Sequence, residues 1–243
     1  NAGEVELLVI IGGNPVYTAP ADLAFADALA RVPFRVHLGL YADETAALCD
    51  WHIPQAHTLE TWGDVRAYDG TITIQQPLIA PLYGGKSAYE LLSALLGDAT
   101  QTSHDIVRGH WEAQRGSEGF NQFWQTSLHD GVIAGSALPP RTVTLSAQWP
   151  AATAAPEGLV VIFRPDPTIW DGAFANNGWL QELPKPLTKL TWDNVALVSP
   201  ATAQRLKLSN EQVIELAYRG RTLRAPVWIQ PGHADEAITL FLG

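Results

Sequence analysis

Few stretches of this 243-residue chain combine residue types at spacings that could do chemistry. Ile11-Gly12-Gly13-Asn14-Pro15 closes an apolar run and precedes a helical pattern. At such a turn small residues let the backbone approach a phosphate, and the helix start that follows favours an anion. The pattern is not Gly-x-Gly-x-x-Gly, and the acidic residue expected on a second strand is not evident, which argues against a nicotinamide reader. On spacing alone the weight falls on a plain tight turn, because Gly-rich punctuation of this kind is common. Phosphate contact and simple chain reversal both stay open.

The seven histidines show no metal-ligand pattern. His52 and His57 are five apart and His104 and His110 six apart, and neither spacing stacks two rings on one helix face as His-Glu-x-x-His does. The single cysteine, Cys49, excludes an internal disulfide or a thiolate cluster within this stretch. A lone cysteine is more commonly a small buried hydrophobe than a nucleophile. No Ser–His–Asp order can be defended, so no catalytic residue and no metal ligand is assigned. Arg219, Arg221 and Arg224 cluster at one hairpin. A solvated turn takes most of the weight there, with a docking patch for an acidic subunit as the sharper reading. Asn176-Asn177-Gly178 reads as a turn with left-handed residues.

The elements that must position these residues follow from periodicity. Val5–Ile11 is an unbroken apolar run, as in a fully buried parallel strand. A helix is expected over Ala19–Arg31, with Thr18 as cap and Pro20 in the first turn. Phe34–Leu40 reads as a strand, Asp43–Leu48 as a short helix with acidic residues at its start, and Trp51–Pro54 as a third strand, together a βαβ unit. Further along, Gly70–Gln76 reads as a strand and Lys86–Leu96 as a helix. Two polar helices, His104–Arg115 and Phe120–His129, are expected to pack one aromatic face. Strands are expected over Arg141–Ala147 and Leu159–Arg164, separated by a loop at Ala151–Pro156. The tail gives a strand at Val195–Val198, a helix entered at Ser199-Pro200, a turn at Leu208–Glu211 and alternating strands at Gln212–Tyr218 and Leu223–Ile229. A closing strand follows at Ile238–Leu242. Strand, helix, strand, turn, strand in so few residues suggests a small barrel. The expected class is therefore α/β: a parallel-sheet Rossmann-like domain over residues 1–137, then a C-terminal β-barrel over 138–243.

Apolar residues make up 47% and charged residues 16%, a soluble balance, and no window approaches the ~18 consecutive apolar residues of a membrane helix. A net charge of −10 argues against nucleic acid, which needs a basic face, and leaves a basic partner subunit open. The chain lacks methionine and opens Asn-Ala-Gly-Glu almost directly into a strand, as an excised piece of a longer polypeptide would.

Several ordered segments resemble the C-terminal part of the molybdopterin oxidoreductases. They are the Gly-Asn-Pro turn, Ala42-Asp43-Glu44-Thr45-Ala46, Cys49-Asp50-Trp51-His52-Ile53-Pro54, Leu59-Glu60-Thr61-Trp62-Gly63, Ala175–Glu182 and Asn194–Leu216. Trp179–Pro184 and Leu190–Asn194 resemble one branch in particular, the large iron–sulfur/molybdopterin-like subunit of bacterial alternative complex III. Departures exist: Lys207–Glu211 lacks the glycines usual at its turn, Cys49 stands where Ala is usual, and Asp98–Gly135 has no placed counterpart. The resemblance implies a double-psi-type barrel. It also implies that Gly12, Gly13, Asn14, Pro15, Glu44, Thr45, Asn176 and Asn177 would contact a molybdopterin guanine dinucleotide, if one is retained. In the alternative complex III branch it implies no molybdenum cofactor, iron–sulfur clusters on other parts of the polypeptide, partner subunits of a membrane respiratory complex, and a periplasmic location.

Three functions follow. The first is a cofactor-free structural module supporting quinol-linked electron transfer. The second is a truncated piece of a catalytic molybdopterin enzyme. The third is a free-standing nucleotide-binding α/β protein. In neither of the first two does this stretch turn over substrate alone, since redox chemistry needs a cofactor and no thiolate cluster is present to hold one.

Overall fold

A computed structural model of the chain describes residues 3–145 and 158–243, which fall into two units, one ending at Leu145 and the other beginning beyond it. The first unit therefore runs past the boundary expected at 137. Leu138 belongs to it, its amide donating to the Asp69 carbonyl at 2.8 Å.

The first unit opens with a three-stranded parallel sheet of order β1 (Leu7–Ile11), β2 (Phe34–Gly39), β3 (Trp51–Pro54). As the middle strand, β2 buries Val36, His37 and Leu38. The apolar run of β1 is not fully buried as expected; Leu7 and Ile11 stay exposed because β1 has a neighbour on one side alone. The helix expected over Ala19–Arg31 is also replaced. Pro15 occupies the first turn of α1 (Pro15–Thr18), and the chain extends at Ala19 before Pro20, as a residue preceding proline must. A 3-10 turn at Ala21–Leu23 follows, then Ala24 in the left-handed region (φ 46°), then α2 (Phe25–Leu29). α3 (Glu44–Ala47) is capped by Asp43, whose carboxylate accepts from the Ala46 amide at 2.9 Å.

A second sheet of the first unit, order β4 (Gly63–Arg66), β5 (Ile72–Gln75) and β6 (Val132–Ile133), is antiparallel. It packs with α5 (Ser103–Arg115) and α6 (Phe120–Asp130). Ile72, Ile74, Val107, Trp111, Phe120, Trp124 and Ile133 form that core, so the aromatic face expected of the two helices is the one buried. α4 (Ala88–Leu95) begins at a reciprocal cap in which Ser87 and Glu90 bond each other's backbone amides.

In the second unit five strands form one open mixed sheet, order β7–β11–β8–β10–β9. These are β7 (Val160–Pro165), β8 (Ala196–Val198), β9 (Val213–Tyr218), β10 (Arg221–Ile229) and β11 (Ala237–Leu242). α7 (Gly178–Glu182) and α8 (Pro200–Leu206) complete it. Among the described residues the outer strands β7 and β9 do not pair with each other, so the expected closed barrel is not seen. β7 and β8 flank β11, one parallel and one antiparallel to it, and that places the core of Ala196, Val198, Ala225, Val227, Ile238 and Leu240 on the central strands. Arg141–Leu145 carries no strand; the rest of that expected strand, and the Ala151–Pro156 loop, lie outside the described residues.

Candidate functional site

In open α/β sheets ligands approach the carboxyl ends of parallel strands. Here that end is built by the turn after β1 and the start of α3. Gly12 and Gly13 both have positive φ (66° and 72°), which a side chain would strain, so the reversal needs glycine twice. Asn14 then sits where its amide meets α3. Its Nδ2 donates to Glu44 Oε2 at 2.6 Å, and its Oδ1 accepts from the Thr45 amide at 3.2 Å and the Thr45 hydroxyl at 2.8 Å. The fully buried Thr45 hydroxyl also accepts from the Val16 amide at 3.1 Å. The hydrogen bond from Asn14, with one from its own backbone, holds the Glu44 carboxyl below the usual carboxylate range.

The backbone of the turn is engaged as well. Gly12 N–H donates to the Leu38 carbonyl at 2.7 Å, and Tyr17 and Thr18 amides both donate to the Asn14 carbonyl. Beneath the turn lies His37, wholly buried on β2. Its Nε2 is 3.1 Å from the Gly13 carbonyl oxygen, and its Nδ1 is 3.2 Å from Nδ1 of His52 and 3.9 Å from the Asp43 carboxylate. A carbonyl can only accept, so Nε2 carries the proton; a neutral ring then accepts at Nδ1, and His52 Nδ1–H donates to it. Burial, reinforced by His37, pushes His52 below its ordinary value. A Cβ added at Gly39 would collide with the His37 ring, so that glycine is what leaves the ring its place.

Gly12, Gly13, Asn14, Pro15, Glu44 and Thr45 are thus brought together, but toward one another. As a cradle for the phosphates of a pterin dinucleotide they are in part already engaged. A phosphate needs convergent N–H donors, and here the amides of Gly12 and Val16 are bonded within the protein while the Gly13 carbonyl points at His37. Sequence reasoning missed His37, His52 and Asp43. A histidine inside the apolar strand Val36-His37-Leu38 is a signal in itself, because a buried polar ring needs partners.

Asn176 and Asn177 belong to the second unit. Asn177 caps α7, its Oδ1 accepting from the Leu180 amide at 3.1 Å. Neither asparagine adopts the left-handed conformation expected of the turn, since an N-cap needs an extended backbone. Trp179, next along, is 88% exposed. The same unit buries an ion pair: Lys185 Nζ lies 3.2 Å from Asp166 Oδ2 and 3.3 Å from the Thr168 hydroxyl. Burial pushes the Asp166 carboxyl up. Hydrogen bonds from Thr168, Ile169 and Lys185 outweigh it and hold the group below its ordinary value.

The other histidines have structural partners. His57 caps a 3-10 turn, His104 packs edge-on against Trp62 and His110 against Trp111, His129 bonds Asp130, and His233 bonds Thr239. Burial pushes the Cys49 thiol up, away from the reactive thiolate. Among the described residues no three His, Cys, Asp or Glu side chains are arranged to hold a metal ion. On the β9–β10 hairpin the Arg219 guanidinium lies over the Tyr218 ring at 5.2 Å.

No protein-family model matches the sequence. A 94-residue stretch, 37% of this chain, is 39% identical to the menaquinone reductase, molybdopterin-binding-like subunit of Nitratidesulfovibrio vulgaris, of which it covers 14%. The fold is similar to that of acetylene hydratase from Pelobacter acetylenicus, with a TM-score of 0.67 at 15% identity over 97% of this chain and 37% of that one. The chain thus spans well under half the length of either protein. Together they bear out the resemblance: the chain is molybdopterin oxidoreductase-like, a mixed α/β polypeptide with parallel and antiparallel sheets.

Proposed function

We propose that this chain is a cofactor-free structural module of a molybdopterin oxidoreductase-like respiratory subunit, supporting quinol-linked electron transfer carried by iron–sulfur clusters elsewhere in the assembly. One observation carries the reading. Several groups that would hold the nucleotide end of a pterin cofactor are bonded to each other: the Asn14 side chain to Glu44 and Thr45, the Val16 amide to Thr45, the Gly12 amide to Leu38, and the Gly13 carbonyl to His37. Separating the part-buried pairs among them costs up to about 1–3 kcal/mol for each group left without a partner, so an entering ligand would have to overcome that cost first.

The quinol-linked role rests on the relative whose name makes it a subunit of a menaquinone reductase. Further subunits are the partners on this reading, and the acidic balance of the chain suits a basic one. Among the described residues no helix is long and apolar enough to cross a membrane, so the module would reach the membrane through its partners. The periplasmic face, kinship with alternative complex III, and a double-psi closure of the second unit's sheet belong to this same proposal.

Molybdenum and pterin analysis of the full-length subunit tests it. The expected result is sub-stoichiometric traces of both; one molybdenum and matching pterin per polypeptide would select the catalytic alternative instead. A free-standing nucleotide-binding protein would show a thermal shift with NAD, GTP or GDP on the chain itself, and no shift is expected.

A further inference from the structure

We propose that the free edge of β1 is a docking site for an extended segment of a partner protein, apolar along its length and carrying lysine or arginine at its ends. This docking requires no pterin and excludes none.

Among the described residues β1 pairs with β2 alone, in a register that runs from Leu7 beside Phe34 to Ile11 beside Leu38. The two ends of that ladder fix its phase. The Phe34 amide donates to the Glu6 carbonyl at 3.2 Å, and the Gly12 amide donates to the Leu38 carbonyl at 2.7 Å. Successive strand residues turn their N–H and C=O to opposite sides. Leu8 and Ile10 therefore also bond β2, while Leu7, Val9 and Ile11 turn their backbone groups to the free edge. Such a row of donors and acceptors is what an added strand pairs with.

The strand does nothing to discourage that pairing. Edges are commonly blunted by charge, proline or extreme shortness. The other outer strands use these devices: β3 ends in Pro54, β4 carries Asp64 and Arg66, β7 carries Arg164 and Pro165, β9 carries Glu215, and β6 has two residues. β1, Leu-Leu-Val-Ile-Ile, uses none of them, and its Leu7 and Ile11 are 47% and 42% exposed. An unbroken apolar run of this kind belongs to a parallel strand with neighbours on both sides.

The charge around the edge selects the occupant. Glu4 and Glu6 are exposed at its start, and Glu44, bonded to Asn14, stands beyond its end. The first basic residue in the sequence is Arg31. A second copy would bring a further net charge of −10 to this acidic edge. A segment with a cation at either end instead meets a carboxylate at each.

The test is a titration of the whole chain with a short synthetic peptide of alternating valine and threonine between terminal lysines, read from backbone amide spectra and amide hydrogen exchange. In the free chain the Leu7, Val9 and Ile11 amides should exchange rapidly while those of Leu8 and Ile10 are protected. The peptide should shift the outward amides saturably and slow their exchange roughly tenfold or more at saturation. Glutamate in place of its lysines should weaken binding roughly tenfold, and N-methylation of its internal amides should abolish binding. Val9→Pro removes an outward donor and no bond between β1 and β2, so it too should abolish binding; if that variant does not fold, the N-methylated peptide decides. The absence of a saturable shift, equal binding of the N-methylated or the glutamate peptide, or protection of the outward amides in the free chain would each overturn the proposal. A concentration-dependent dimer that Val9→Pro dissolves would overturn it too, by making a second copy the occupant.

Discussion

Two polar knots of this molecule, one in each unit, are made differently. In the first unit Asn14, Thr45, His37 and His52 are joined by hydrogen bonds between formally neutral groups, with Glu44 at the exposed rim. In the second, Asp166 and Lys185 form an ion pair with side chains 4% and 6% exposed. A neutral knot can be loosened one bond at a time. A buried ion pair fails abruptly, because removing one partner strands a charge where water cannot reach it. The first knot lies where a relative of this fold would be expected to receive a ligand; the second holds the base of the segment that carries Asn177 and Trp179.

The largest effect should come from breaking the ion pair. Lys185→Met leaves the Asp166 carboxylate buried and unpaired and should lower stability by about 3–5 kcal/mol in urea unfolding. Adding Asp166→Asn should recover most of that loss, since an amide oxygen can still accept from the Thr168 and Ile169 amides that now bond Asp166 Oδ1. No recovery would mean that shape, not charge, governs the site.

The neutral knot should cost less to break. Thr45→Val keeps the volume but removes the hydroxyl that serves both Asn14 and Val16, for an expected loss of about 1–3 kcal/mol by the same measurement. A loss as large as that of Lys185→Met would erase the distinction drawn between the two regions.

Acid should separate them too. The folded Asp166 carboxyl lies below its ordinary value of 3.8, so its contribution to stability is complete above that value and is lost as pH falls through the lower folded value. Below about pH 4 the unaltered chain should therefore lose stability more steeply than Asp166→Asn, in unfolding curves collected at successive pH values. His52, pushed down by burial, carries the same sign in a higher window: neutral in the fold, it disfavours the protonated state and weakens the first unit as pH falls below the ordinary histidine value of 6.5.

The smallest contrast lies at two helix starts. Ser87→Ala removes one cap of α4 and should cost about 1 kcal/mol. Ser199→Ala should cost more, because that hydroxyl is buried and bonds Asp235 as well as the Thr202 amide. Equal losses in thermal unfolding would show that the Asp235 contact contributes nothing.

Much of this was legible in the residues themselves. Phe34–Leu40, Trp51–Pro54 and the tail strands follow the patterns that reveal them, and Asp43 and Ser199 sit where helix caps belong. What escaped was what depends on distant partners. β4, Gly63–Arg66, has no apolar alternation to betray it and is a strand because β5 pairs with it. The helix between β1 and β2 was misplaced because Pro15 starts it early and Pro20 ends it, and either proline could have opened a helix. Barrel closure was inferred from strand spacing, and spacing does not say which outer strands meet. His37 and His52 are ordinary in sequence and become a pair only through the parallel register of β2 and β3.

The claim on which the rest depends is that the Asn14 and Thr45 side chains and the Gly12 and Val16 amides stay bonded within the protein and admit no phosphate. Backbone amide spectra of the unaltered chain, recorded during a titration with GDP, address it at the atoms concerned. The amides of Gly12, Gly13 and Val16 should stay in place throughout; saturable movement of those three resonances would contradict the account.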